Sequence, residues 1–359
     1  MPSDLPDARP IVDSLLEQAI QRGASDIHIE PALDGYEIRL RVDGLLETIA
    51  RQEPATGRAI TSRLMVMAQL LTYRQDIPQE GRFSIQLTTI PRPIDLRLAV
   101  MPTTHGLRAA VRLPADLLQP RSLDDLHLPE QVVTDLKDFA AGDSGMLIVT
   151  GPAGSGKTTT IYALLRHIVQ TSPGLSIVTL EDPVEHDLPG ITQIEVSPFG
   201  ELTYERALRS ILRQDPQVLM LGEIRDAATA TIALQAALSG HRMICTFHAA
   251  SAAGAIARLI EMGAEPYQIT SAVHGIVCQR LLRRRTPAGY RGRVPIAEFA
   301  RLDEDTRAAI LRRDSSQKLN ELFANRAGCK TIRQAADEWV VNGATDLAEV
   351  RRVLGPAVP

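Results

Sequence analysis

At 359 residues the chain is long for one domain and long enough for two, each with a core of its own. Hydrophobic residues at 44% and charged ones at 23% are those of an ordinary globular protein, and a formal net charge of −4 supplies no general attraction to nucleic acid. The start MPSDLPDARP lacks the basic and apolar sections of a signal peptide, no stretch approaches the roughly 18 apolar residues of a membrane span, and Cys245, Cys278 and Cys329 never fall in CxxC spacing.

The expectation is therefore a cytoplasmic protein with no direct nucleic-acid partner, no disulfide framework and no zinc, its cysteines serving as buried apolar fillers. In chain order, Ile11, Val12, Leu15, Leu16, Ala19 and Ile20 recur at helical spacing and Gly23 follows where a helix commonly stops, predicting a helix over 11–21. Alternation then takes over. Ile27 and Ile29 alternate with His28 and Glu30, and Tyr36, Ile38, Leu40 and Val42 with Glu37, Arg39, Arg41 and Asp43, predicting half-buried strands and a turn at Asp43-Gly44. A helix near 59–71 and alternating Ile94, Leu96, Leu98 and Val100 complete a mixed α/β domain over 1–113, followed by a linker over 114–128.

Short apolar runs over 146–150, 176–180, 218–221 and 243–247, with helical segments between them, predict a doubly wound α/β domain over 129–280. After about Arg280 the strands are expected to stop, leaving a helical C-terminal region over 281–359.

The most specific pattern is Gly151-Pro152-Ala153-Gly154-Ser155-Gly156-Lys157-Thr158, which fits GxxxxGK[ST] between an apolar strand and a helical stretch that opens at Thr159. Glycines there let several backbone N–H groups face one phosphate, and the helix N-terminus adds partial positive charge. Lys157 is expected to reach the β and γ phosphates of ATP, and Thr158 to place its hydroxyl on Mg²⁺. This is a P-loop site of the RecA-like type.

A carboxylate at the end of a buried strand is costly unless used, and Glu223 ends the run Val218-Leu-Met-Leu-Gly-Glu223, making it the candidate acid for magnesium and water. Glu181 ends another apolar strand at the edge where doubly wound folds bind ligands, and is a second candidate to activate water. His241 and His248 bracket the strand over 243–247 and are expected to sense the γ phosphate from its two ends.

Taken together these residues resemble the secretion ATPases that power type II secretion and type IV pilus assembly. The resemblance runs through Ser25-Asp-Ile-His-Ile-Glu-Pro31, Arg41-Val-Asp-Gly44, Ile77-Pro-Gln-Glu-Gly-Arg82, the aspartate-box-like Glu181-Asp-Pro-Val-Glu185, the Walker B-like segment from Leu212 to Asp226, and the histidine-box-like Gly240 to His248. It implies a PAS-like N-terminal domain, a homo-hexameric ring, catalytic roles for Glu223, Glu181 and His248, and peripheral association with the inner membrane through a platform protein. It also implies that Arg97 and Arg112 reach the nucleotide phosphates, and that Arg209 and Arg213 act from a neighbouring subunit.

Three departures stand out: the Ser25 motif lies close to the start, from which a short form lacking the family's N-terminal docking domain is expected, no four-cysteine insertion follows Leu282, and Gln217 replaces the usual aspartate. The motif at Glu261-Met-Gly-Ala-Glu-Pro266 leans toward the assembly branch over retraction. A motor for DNA uptake or conjugative transfer, and an ATP-binding scaffold with little turnover, are the competing readings.

Overall fold

The computed structural model describes residues 6–86, 93–114, 122–196, 200–326 and 329–356. Its internal contacts divide the chain into two units, Met1–Leu118 and Gln119–Pro359.

In the first unit α1 (Arg9–Gln21) and α2 (Pro54–Met67) each begin with a proline in the first turn, where the missing N–H has no helical partner to lose. The strands β1 (Asp26–Ala32), β2 (Gly35–Val42), β3 (Leu45–Gln52), β4 (Gln79–Ile85), β5 (Ile94–Thr103) and β6 (Gly106–Arg112) form one antiparallel sheet in the order β3-β2-β1-β6-β5-β4. Alternation decides the two faces. Ile27, Ile29, Ile38, Leu40, Leu96, Leu98 and Val111 share a core with Val12 and Leu16 of α1 and Ile60 and Leu64 of α2. The opposite face carries Asp26, His28 and Glu30 on β1, flanked by Arg39 and Arg41 on β2 and by Arg108 and Arg112 on β6.

The second unit opens with a 3-10 turn at Asp124–Leu126 and α3 (Glu130–Ala141). There follow β7 (Gly145–Thr150), α4 (Lys157–Thr171), β8 (Ile177–Glu181), β9 (Thr192–Glu195), α5 (Tyr204–Ile211), β10 (Val218–Leu221), α6 (Ala227–Leu238) and β11 (Arg242–Phe247). Then come α7 (Ala252–Glu261), α8 (Pro266–Ala272), β12 (Val273–Thr286) and β13 (Gly289–Arg301). The sheet order is β13-β12-β7-β11-β10-β8-β9, parallel throughout except for the β12–β13 hairpin. Because β7, β8, β10 and β11 run the same way, their C-terminal ends share one edge, where doubly wound sheets bind ligands.

Two boundaries read from the sequence are corrected here. Of the expected linker over 114–128, residues 115–121 lie outside the described residues, while Leu123, Leu126 and Leu128 are buried with Leu136 and Phe139 in the core of the second unit. Nor do the strands stop at Arg280: β12 runs to Thr286 and β13 returns to Arg301, with Leu282 opposite Val294 and Arg280 opposite Ile296. The arginine-rich stretch hides this strand because its apolar positions are few, yet Leu282, Val294 and Ile296 are buried against Ala335, Ala336 and Val350. The helical part begins only at α9 (Glu304–Leu311) and continues as α10 (Ser316–Ala324), α11 (Ile332–Val341) and α12 (Leu347–Leu354), capped by Asp303, Ser315, Thr331 and Asp346.

α12 is tied to the hairpin by Glu349, a buried carboxylate that accepts from Arg283 at 2.7 Å and from Arg352 at 2.6 Å. Burial alone would raise its pKa, but the two guanidiniums and the Arg283 backbone N–H bring it down to about 2. A carboxyl depressed in the fold contributes stability that is complete above its ordinary value of 4.5 and is lost as pH falls toward 2. Glu349→Gln is expected to lower stability by about 3 kcal/mol at neutral pH, since it strips two arginines of their buried counter-charge. Thermal melting of the variant at neutral pH and at about pH 3 should then lack the acid-side loss attributable to this group; a profile like the parent's at both would contradict the assignment.

Candidate active site

Gly151 to Gly156 link β7 to α4, and the positive φ angles of Gly151, Gly154 and Gly156 (156°, 73° and 88°) are ones that L side chains rarely adopt. Space is also closed: a Cβ at Gly151 would lie 2.5 Å from the Gln279 carbonyl, and one at Gly156 would lie 2.8 Å from Gln279 Nε2. Gln279 of β12 is itself buried. It accepts from Thr160 Oγ1 at 2.8 Å and donates to the Ser155 carbonyl at 3.0 Å, stapling the loop to the neighbouring strand. Gln279→Ala leaves two buried polar groups without partners, so a loss of about 1–3 kcal/mol in thermal stability is expected. Melting indistinguishable from the parent would show the staple to be dispensable.

Lys157 donates to the carbonyls of Gly151 and Pro152 at 2.9 and 3.0 Å, folding its ammonium over the loop. Burial pushes its pKa down, the Glu223 charge pulls it partly back, and Arg280 adds to the depression. The Ser155 hydroxyl is buried without a hydrogen-bond partner. A partly desolvated cation, an orphan hydroxyl, a turn closed to side chains at Gly151 and Gly156 and the first turn of α4 form a cradle that suits a phosphate. Thr158 and Thr159 are half-exposed at its rim, while Pro152, Ala153 and Gly154 are exposed.

Glu223 follows β10 and meets Arg225 in an ion pair, with His248 Nε2 at 3.5 Å on its other oxygen. Arg225 also reaches Asp182 at 3.3 Å. His248 follows β11, its side chain more than half exposed. Thr150 locks this edge together, donating toward the Phe247 and Ala249 carbonyls at 3.0 and 2.9 Å and accepting from the Ala249 N–H.

Glu181, the last residue of β8, is only 3% exposed. Thr179 and Gln193 donate to one of its oxygens at 2.6 and 3.0 Å, and the Tyr162 hydroxyl donates to the other. Burial and this bond to Glu181 both push the Tyr162 phenol upward, keeping it a neutral donor. Glu181 thus ends β8 as a buried acid bonded on both oxygens.

The two histidines part company. β11 pairs in parallel with β7 from Arg242 opposite Gly145 to Phe247 opposite Thr150, so His248 lies beside the phosphate loop and His241 at the far end of the sheet, about 20 Å away at ~3.3 Å per strand residue. His241 Nδ1 instead bonds the Ala236 carbonyl at the end of α6, at 3.0 Å. Gln217 lies at that same far edge. It accepts from the Ser176 N–H at 2.6 Å, bracketing the starts of β8 and β10, so position 217 lies away from the phosphate edge.

Arg209 on α5 is exposed and pairs with Glu205 one turn away at 3.1 Å, and Arg213 is exposed just beyond the helix. In the first unit Arg97 lies directly opposite Arg112 on one side and Arg82 on the other. Arg112 of this row is paired with Asp26 at 3.1 Å. The residues that sequence reasoning passed over are Gln279, Tyr162, Thr179, Gln193 and Arg225. Only Arg225, within the run Gly222-Glu-Ile-Arg225, had a signal in the chain itself.

Comparison with known proteins agrees with this geometry. Residues 3–352 match the family described as type II/IV secretion system protein. The type II secretion system protein HxcR of Pseudomonas aeruginosa is 39% identical, the match covering 98% of this chain and 78% of that protein. The type II secretion system ATPase E of Vibrio cholerae is 36% identical over 96% of this chain and 74% of its own length. Among solved structures, that of the pilus retraction motor PilT with bound ADP superposes with a TM-score of 0.69 at 26% identity, covering 97% of each chain. With a match across nearly its whole length and a phosphate cradle at the sheet edge where Glu181 ends β8 and Glu223 follows β10, the chain belongs to the type II/IV secretion system protein family and carries its RecA-like P-loop ATPase domain.

Proposed function

We propose that the protein is a homo-hexameric motor that couples Mg²⁺-dependent ATP hydrolysis to the assembly of pilin-like subunits at the inner membrane, docked there on a platform protein. The observation that carries this reading is the convergence of Lys157, Thr158, Glu223, Glu181 and His248 at one edge of one parallel sheet. Relatives named for type II secretion support the cellular role. Among the described residues no helix is long and apolar enough to cross a membrane, which is consistent with recruitment through a partner.

In this reading the loop N–H groups and Lys157 hold the β and γ phosphates. The hydroxyl of Thr158 and the carboxylate of Glu223 are hard oxygen donors of the kind Mg²⁺ takes. Bound there, the ion would neutralise charge on the phosphate oxygens. Glu223, held by its ion pair with Arg225, keeps its negative charge beside Lys157, and Glu181, steadied by its three donors, orients the attacking water. His248 lies within reach of Glu223 to report the γ phosphate. Arg97 and Arg112 are assigned to nucleotide binding by the family resemblance, and Arg209 and Arg213 to action in trans. Excess EDTA is expected to abolish phosphate release from ATP, and release at an unchanged rate would remove magnesium from the scheme.

A further inference from the structure

The segment Ser25-Asp-Ile-His-Ile-Glu-Pro31 has no part in the phosphate cradle, yet its polar side chains are placed with care. On β1, Asp26 lies between Arg41 of β2 and Arg112 of β6, each its direct cross-strand partner. Its carboxylate takes Arg112 Nε on one oxygen at 3.1 Å and Arg41 Nε on the other at 3.4 Å, and Ser25 Oγ adds a bond at 2.8 Å. The Asp26 side chain is 13% exposed and that of Arg112 is 70% exposed.

This geometry has a chemical consequence. A guanidinium is a rigid planar fork with five donors, and a carboxylate that engages only Nε fixes the plane while leaving the terminal amino groups available to another anion. A bidentate pair through both Nη atoms would have consumed them. Asp26 also supplies negative charge next to the row formed by Arg112, Arg97 and Arg82, offsetting part of their mutual repulsion.

We infer that Asp26 is a positioning residue: it aims the Nη groups of Arg112 at a phosphate-bearing ligand by holding the same guanidinium through Nε. The inference rests on the reading of Arg112 as a phosphate contact. Glu30, two positions further along the same face, grips Arg39 at 2.9 Å and Arg108 at 3.2 Å. An acidic central strand thus fixes arginines presented by the strands on both sides.

The test is steady-state phosphate release by the full chain carrying Asp26→Asn, Arg112→Ala or both, with thermal melting of each. Misplacing a reacting group by about 1 Å can cost ~10²-fold in rate, so Asp26→Asn is expected to lower kcat about ten- to a hundredfold. Arg112→Ala should lower it further, and the double variant should equal Arg112→Ala alone, because Asp26 then has nothing left to aim. A full Asp26→Asn loss on top of Arg112→Ala would mark a structural role and overturn the inference, as would wild-type turnover by Asp26→Asn. If Arg112→Ala itself turns over normally, the phosphate reading of Arg112 falls, and the role of Asp26 with it. Should Asp26→Asn melt early, Asp26→Glu keeps the charge and shifts it by one methylene, and is judged by the same coupling to Arg112→Ala.

Discussion

Glu223→Gln is expected to bind ATP with nearly unchanged affinity and to release phosphate about 10²- to 10⁴-fold more slowly, the range spanned by loss of a positioned acid–base group. The substitution keeps the shape at the end of β10 and leaves an amide oxygen to accept from Arg225 with an NH2 toward His248 Nε2, so the fold should survive. What disappears is the charge acting on Lys157 and the carboxylate proposed to hold magnesium. Filter binding together with single-turnover release separates the two effects. Wild-type-like hydrolysis would transfer the essential acid to Glu181, whose three donors already orient it toward the same edge.

Lys157→Ala is expected to lower turnover by about 10³-fold, at the upper end of what removal of one preorganised electrostatic donor costs, and to weaken nucleotide binding as well. In the structure its ammonium is held by the carbonyls of Gly151 and Pro152 and is partly desolvated, an arrangement that an incoming phosphate relieves. The variant frees those carbonyls to face solvent, so stability should change little. A measured KM and kcat near the parent values would mean that the phosphates lie elsewhere.

Buried parallel strands were legible because they are short apolar runs: β7, β8, β10 and β11 each fall within a residue of their expected positions. Strands with one wet face were legible only where alternation is clean, as in β2 and β5. β4, with Phe83 as its one fully buried residue, and the edge strand β9 have too little apolar content to show a period. β12 and β13 were hidden by arginines whose charge suggests a loop but whose stems cover a packed hairpin. At the site, the loop and its acids were legible because their spacing is local. The surroundings of Glu181 were not, since Tyr162, Thr179 and Gln193 come from α4, β8 and β9 and meet only in the folded sheet. The two histidines differ by strand polarity, which a sequence reader can apply once the strand is known to be parallel.

Whether a ring hydrolyses ATP to drive motion is read from phosphate release from Mg-ATP across a protein concentration series, with oligomer mass followed by light scattering. Release is expected to depend on Lys157 and to rise per chain as the mass approaches that of a hexamer. Hexamers that bind ATP without releasing phosphate, or release per chain that is the same in monomer and ring, would contradict the proposed motor.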